Sequence, residues 1–136
     1  MSYLDDIGTY LAAATIAAAD LTLGTNLFLG RRPDDPDTCV AIYETGGTAP
    51  EMQFGTSTLP GIETRGLQVI TRALGYSTAE ALCTDVWGAL CLVDNETLSG
   101  TRYLLADPVQ SPFALERDSQ NRMLHVVNFL VSREVS

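Results

Sequence analysis

Apolar residues recur at three- and four-residue steps near the start of the chain, at Leu4, Ile7, Leu11, Ala14 and Ala18. That period predicts an amphipathic helix over residues 3–20, with Asp5 and Asp6 in a first turn whose dipole favours negative charge. Gly8 is the one weak helix former in its first half. Thr22 to Gly24 closes the helix, and Asn26 to Arg31 reads as a strand built on Leu27, Phe28 and Leu29. Two prolines make Arg31-Arg32-Pro33-Asp34-Asp35-Pro36-Asp37 a turn region. A second strand follows from Thr38 to Thr45 on Val40, Ile42 and Tyr43. Gly46 to Gly61 is then a long irregular loop, of a kind that in a compact domain is usually functional or disordered.

The second half is more regular. Ile62 to Ala73 is a long strand with Leu67 and Val69 on one side and Ile62 and Ile70 on the other. Thr78 to Leu92 is the clearest helix, with Ala79, Leu82, Cys83, Val86, Trp87, Leu90 and Cys91 as one apolar stripe and Ser77 with Glu80 as a capping box. Thr101 to Asp107 and Phe113 to Arg117 read as strands, and Asp118-Ser119-Gln120-Asn121 as a hairpin turn. Arg122 to Arg133 is the last strand, with Met123, His125, Val127, Phe129 and Val131 on one face and Leu124, Val126 and Leu130 on the other. Apolar residues on both faces place it in the middle of a sheet covered on both sides. The predicted order is α-β-β-β-α-β-β-β: an α+β chain with a mixed, mostly antiparallel sheet and two main helices. At 136 residues it fits one domain spanning 1–136, with its long loop at 46–61.

Composition narrows the function. The apolar share of 46% supports a real core, and the net charge of −9 argues against binding nucleic acid or an anionic membrane without sequence preference. All eight basic residues are arginines. Arginine tolerates partial burial and forms planar bidentate contacts, which suits protein interfaces, although biased genome composition would produce the same set. Cys83 and Cys91 lie eight residues apart on one predicted helix, roughly 12 Å along its axis, too far for a disulfide. With Cys39 they read as buried thiols of a reducing compartment. The apolar run Leu11 to Ala19 follows Asp5 and Asp6 with no basic residue before it and is shorter than the ~20 residues of a membrane span. The chain is expected to be soluble and intracellular when made.

Candidate chemistry is thin. The one histidine, His125, sits mid-strand with no nucleophile-elbow pattern to serve, and Ser57 lies in the long loop. Cys39, Cys83, Cys91 and His125 lack the paired spacings of zinc sites. Asp34, Asp35 and Asp37 lack the alternating ligands and terminal glutamate of a calcium loop; they read as a solvated turn, with a weak surface magnesium contact as the functional alternative. Gly46-Gly47 and Gly55 have no lysine to complete a phosphate loop, and Trp87 reads as core. The expectation is a protein that is not an enzyme and uses no cofactor or metal.

A family resemblance then covers nearly the whole chain. Leu23-Gly24-Thr25-Asn26-Leu27-Phe28-Leu29-Gly30, Pro33-Asp34-Asp35-Pro36-Asp37 and Val40-Ala41-Ile42-Tyr43-Glu44-Thr45-Gly46-Gly47 resemble the first half of the minor capsid or tail-terminator proteins of phages with long flexible tails. Arg72, Tyr76 before an alanine-bearing helix, Gly100-Thr101-Arg102-Tyr103, Arg117-Asp118, Asn121-Arg122 and Val127-Asn128-Phe129 fit the second half. Leu74-Gly75 departs from the shorter, more polar link expected before Tyr76.

The resemblance implies a virion protein: a ring, typically of six copies, that caps the head-proximal end of the tail tube and offers a docking face to the head connector. Its partners would be other copies of itself, the tail tube protein and the connector or stopper, with DNA sliding through unbound. Interface candidates are Arg31, Arg32, Asp34, Asp35, Asp37, Met52, Phe54, Arg117, Asp118 and Arg122. In this reading the acidic turn meets arginines of the next subunit, with Arg65, Arg72 and Arg102 as further candidates. A head-completion or stopper protein is the nearer alternative, and a ligand-binding α+β module the more distant one.

Overall fold

The computed structural model describes residues 2–48 and 61–134. Helix α1 (Tyr3–Ala13) starts where Ser2 closes a capping box: its hydroxyl accepts from the Asp5 N–H, and the Asp5 carboxylate accepts from the Ser2 N–H. It stops seven residues short of the expected end. Ala14 is already extended, and the following chain swings so that Ile16 and Leu21 enter the core. Alanines on every side define no buried face there. The backbone N–H of Ala18 is instead taken by the Asp85 carboxylate at 2.9 Å. Gly8 lets α1 sit close to β1: a Cβ there would lie 2.8 Å from Cδ2 of Leu29 and push that side chain aside.

Three strands follow, β1 (Leu27–Leu29), β2 (Cys39–Thr45) and β3 (Ile62–Ala73). Helix α2 (Tyr76–Cys91) begins two residues earlier than expected. That places Ser77 inside the first turn, so the Ser77–Glu80 box does not form, and Gly75 caps the helix without a side-chain bond. Its buried stripe is Ala79, Leu82, Cys83, Val86 and Leu90; Trp87 is half-buried and Cys91 exposed. The sequence then forms a strand that the hydrophobic pattern did not show, β4 (Asp94–Leu98), hairpinned to β5 (Thr101–Pro108). Asp-Asn-Glu-Thr-Leu carries almost no apolar alternation. Its pairing comes from the two-residue Ser99-Gly100 turn, both at positive φ (52° and 85°), as tight hairpins require. β6 (Phe113–Arg117) and β7 (Met123–Glu134) complete the order α-β-β-β-α-β-β-β-β.

The sheet runs β1-β2-β3-β7-β5-β4, with β6 also on β7. Only β1 and β2 are parallel among the pairs of named strands. β7 is central, as its two apolar faces predicted: it pairs with β3 from Met123 to Glu134 and carries β5 and β6 in turn along its other edge. Both helices pack on one face, where Ile7, Leu11, Leu82, Val86 and Leu90 meet Val40, Ile42, Leu67, Val69, Val127, Phe129 and Val131. The opposite face carries Ile70, Leu124 and Val126 with Tyr43 against them.

One polar cluster ties α1 to this core. Asp6, 1% exposed, accepts the Tyr103 hydroxyl at 2.7 Å, and Arg133 donates to Tyr103 at 3.1 Å and to Glu63 at 2.7 Å. The Tyr3 ring lies under both Arg65 and Arg133, each 5.5 Å from its centroid. Burial pushes the Glu63 carboxyl up, but hydrogen bonds and charge from Arg133 and Arg65 outweigh it and hold it below its usual range.

Removing the Tyr103 hydroxyl leaves a buried carboxylate without its closest donor. Tyr103→Phe is expected to lower stability by about 1–3 kcal/mol in denaturant titration. Tyr10→Phe, whose hydroxyl donates to Ala89 O at a half-buried site, should cost less. Equal effects would show that Asp6 gains nothing from Tyr103.

Candidate functional site

The acidic turn expected to face a neighbour is held from within its own chain. Arg72, on β3 and 1% exposed, donates to Asp37 O (3.2 Å), Pro33 O (2.7 Å) and Pro36 O (2.6 Å). Arg122, at the turn into β7 and 2% exposed, donates to Asp118 (2.9 Å), to Asp37 Oδ1 (3.3 Å) and to the Asp34 carbonyl. Asp118 in turn accepts the backbone N–H groups of Gln120 and Arg122. The Arg122 backbone N–H, ahead of its guanidinium, holds the Asp118 carboxyl below its usual range. Asp118 and Arg122 therefore lock the β6–β7 turn against the 33–37 turn. The carboxylates of Asp34, Asp35 and Asp37 remain at the surface.

The arginines separate into two groups. Arg65 pairs with Glu44 and Glu63, Arg102 with Glu134, and Arg133 with Glu63 and Asp6. Arg117 donates to the carbonyls of Leu74 and Asn121. Among the described residues only Arg31 and Arg32 have neither a hydrogen-bonded nor an ion-paired partner; Arg31 rests 5.4 Å from the Phe28 ring centroid. Met52 and Phe54 lie outside the described residues, as do Ser57 and most of the expected 46–61 loop.

Sequence reasoning missed the exposed apolar rim around β6. All five β6 residues are exposed, Phe113 at 42% and Leu115 at 49%. Val109, Leu74 and Tyr76 extend the rim: Val109 N donates to Asn128 O, Leu74 O accepts from Arg117, and Tyr76 meets His125, which pairs with Ala114. The signal was available, because Phe113 and Leu115 alternate with Ala114 and Glu116 on a strand with one neighbour.

The remaining sites carry little chemistry. Among the described residues no three His, Cys, Asp or Glu side chains gather in a way that could hold a metal ion. Cys39 and Cys83 are buried, and burial pushes Cys83 up to about 11; Cys91 is exposed, contrary to its place on the expected buried stripe. A groove of about 560 Å³ between α1 and α2 is lined by Tyr10, Ala13, Ala14, Asp85, Ala89 and Leu92 among others. Its Tyr10 hydroxyl and Asp85 carboxylate are both engaged in internal bonds.

His125 is buried against Tyr76, ring centroids 4.8 Å apart and nearly perpendicular. Neither ring nitrogen has a hydrogen-bond partner among the described residues. Burial lowers its pKa, opposed by the Glu80 carboxylate.

Two measurements test these placements. Arg72→Met should cost about 3 kcal/mol or more, since it removes a buried guanidinium and the donor of three carbonyls of the 33–37 turn, while Arg31→Ala should change stability by less than about 0.5 kcal/mol. Because the folded His125 pKa lies below the unfolded ~6.5, its contribution to stability is complete above that pH and is lost as pH falls toward the folded value. His125→Phe should remove that part of the slope in denaturant titrations across the range. An unchanged slope would mean the ring is hydrated.

Comparison with known proteins places this geometry. No curated protein matches the chain. A solved structure described as "Virion of native gene transfer agent (GTA) particle" contains a chain of the same fold, with TM-score 0.63 and 21% identity over 98% of this chain and 96% of that one. A family model described as bacteriophage tail terminator protein matches residues 5–135. The resemblance carried by the Leu23–Gly47 and Gly100–Phe129 motifs thus extends over nearly the entire sequence, and this chain belongs to the bacteriophage tail terminator family, a structural protein of the phage tail.

Proposed function

We propose that the chain acts as a ring of copies, typically six, at the head-proximal end of the tail tube, where it ends tube growth and joins the tail to the head connector. The observation that carries this reading is the family match over residues 5–135. The surface is compatible with it. A copy of this length has a radius of gyration near ~14 Å, so about six can surround a duplex-sized hole. A charge of −9 per copy gives the hole a wall that repels phosphate, and DNA passes without sticking. The role is structural, with no catalysis and no cofactor. The protein is made in the host cytoplasm and ends in the virion.

The nearer alternative, a stopper that completes the head, uses the same kind of ring on different contacts. Phage lacking this chain distinguishes them under electron microscopy. Tails that are overlong or left unjoined are the expected outcome. Tails of normal length beside heads that leak DNA would replace the terminator reading with the stopper.

A further inference from the structure

We infer that successive copies are joined by strand addition, β1 of one copy pairing with the free outer edge of β6 in the next. This rests on the ring reading above and names the surfaces that would close it. The two strands end one continuous row of the sheet: Phe28 pairs with Ala41, Ala41 with Ile70, Ile70 with Val126, and Val126 with Phe113. The parallel row Leu27, Val40, Thr71, His125, Ala114 runs beside it. Four strand spacings separate β1 from β6, about 19 Å. Both ends therefore lie at the same height on opposite sides of the molecule. A contact between two different patches so placed repeats head to tail, and such a contact closes into a ring when the rotation from copy to copy divides a full turn.

Each end is unfinished in a complementary way. On β1, Asn26 O accepts from Val40 and Gly30 N donates to Ile42, so the alternate residues Leu27 and Leu29 turn their backbone groups away from β2. The outward groups of Leu27 are taken by Thr22 and Gly24, whereas those of Leu29 have no partner among the described residues. On β6, Phe113 and Leu115 are exposed and no strand pairs with the outer edge among the described residues. β1 runs with β2 and β7, and β6 runs against β7. The two strands thus run in opposite senses, as an antiparallel junction between copies requires.

The charges match at one end of the contact. Arg31 and Arg32, which follow β1, are the two arginines with neither a hydrogen-bonded nor an ion-paired partner among the described residues. They lie on the same side of the Phe28–Phe113 row as Asp107, which pairs with Leu130 on β7, is exposed and makes no ion pair among the described residues. In an acidic chain, two cations at one sheet end and a carboxylate at the same height at the other favour this contact over edge-to-edge pairing of like ends.

Charge exchange in the full chain tests it, because none of the three side chains makes a hydrogen bond or ion pair among the described residues. Ring formation is followed by mass photometry of the free protein and by electron microscopy on assembled tail tubes. Arg31→Glu with Arg32→Glu should weaken ring closure about tenfold or more, as should Asp107→Arg. Combining all three should restore it. Rings that survive either reversal, or a combination that does not restore them, overturn the β1–β6 contact and leave the ring reading standing. Absence of rings in the unmodified protein, both free and on tubes, overturns both.

Discussion

The pairing of β3 with β7 from Ile62–Glu134 to Ala73–Met123 is the constraint on which the rest of the structure depends. Twelve residues on each side stand in register, alternate pairs exchanging backbone bonds, so the two strands fix each other's register. A slip of one residue would turn Val127, Phe129 and Val131 away from the helices and bring Asn128 and Ser132 toward them. Everything else attaches to this ladder. β2 and then β1 extend it beyond β3, β5 and β6 share the far edge of β7, and both helices seal one face. The positions of β1 and β6 are therefore set by core packing far from either strand.

Arginine supplies the second level of order. Arg72 and Arg122 gather the 33–37 turn and the β6–β7 turn from below, using carbonyl groups as much as carboxylates. Five donors in a planar fork make this possible; a lysine ammonium would have to choose among acceptors lying in several directions. At the other end of β3, Arg65 and Arg133 both lie 5.5 Å from the Tyr3 ring centroid and pair with carboxylates. The acidic turn thus owes its shape to its own chain. Any neighbour meets a surface already built, which lowers the ordering cost of a contact.

How much of this was legible in the sequence follows from where hydrophobic pattern and geometry coincide. The core strands β3 and β7 and the body of α2 have strong periodicity, and the structure keeps them. α1 was overextended because alanine marks no face, so its end depended on tertiary pulls on Ile16 and Leu21. β4 was invisible because a polar edge strand has no apolar period; only the Ser99-Gly100 turn announced it. Among the interface candidates, charge alone could not separate the inward-turned Arg72 and Arg122 from the open Arg31 and Arg32. That distinction requires knowing that residues 33–37 fold back over β3 and the start of β7, a contact between segments 35 and more positions apart.

In the proposed ring a chain this acidic associates with itself because its two electrostatic effects act over different distances. Repulsion between whole copies is spread over their surfaces and is screened within about 10 Å at ordinary ionic strength. In the proposed β1–β6 contact, attraction between Arg31 or Arg32 and a carboxylate acts at short range, where screening is weak. The acidic surface therefore opposes contacts that lack this local match and permits the one that has it. In the proposed ring, the charge that would keep DNA off the wall would also keep copies from adhering in the wrong orientation.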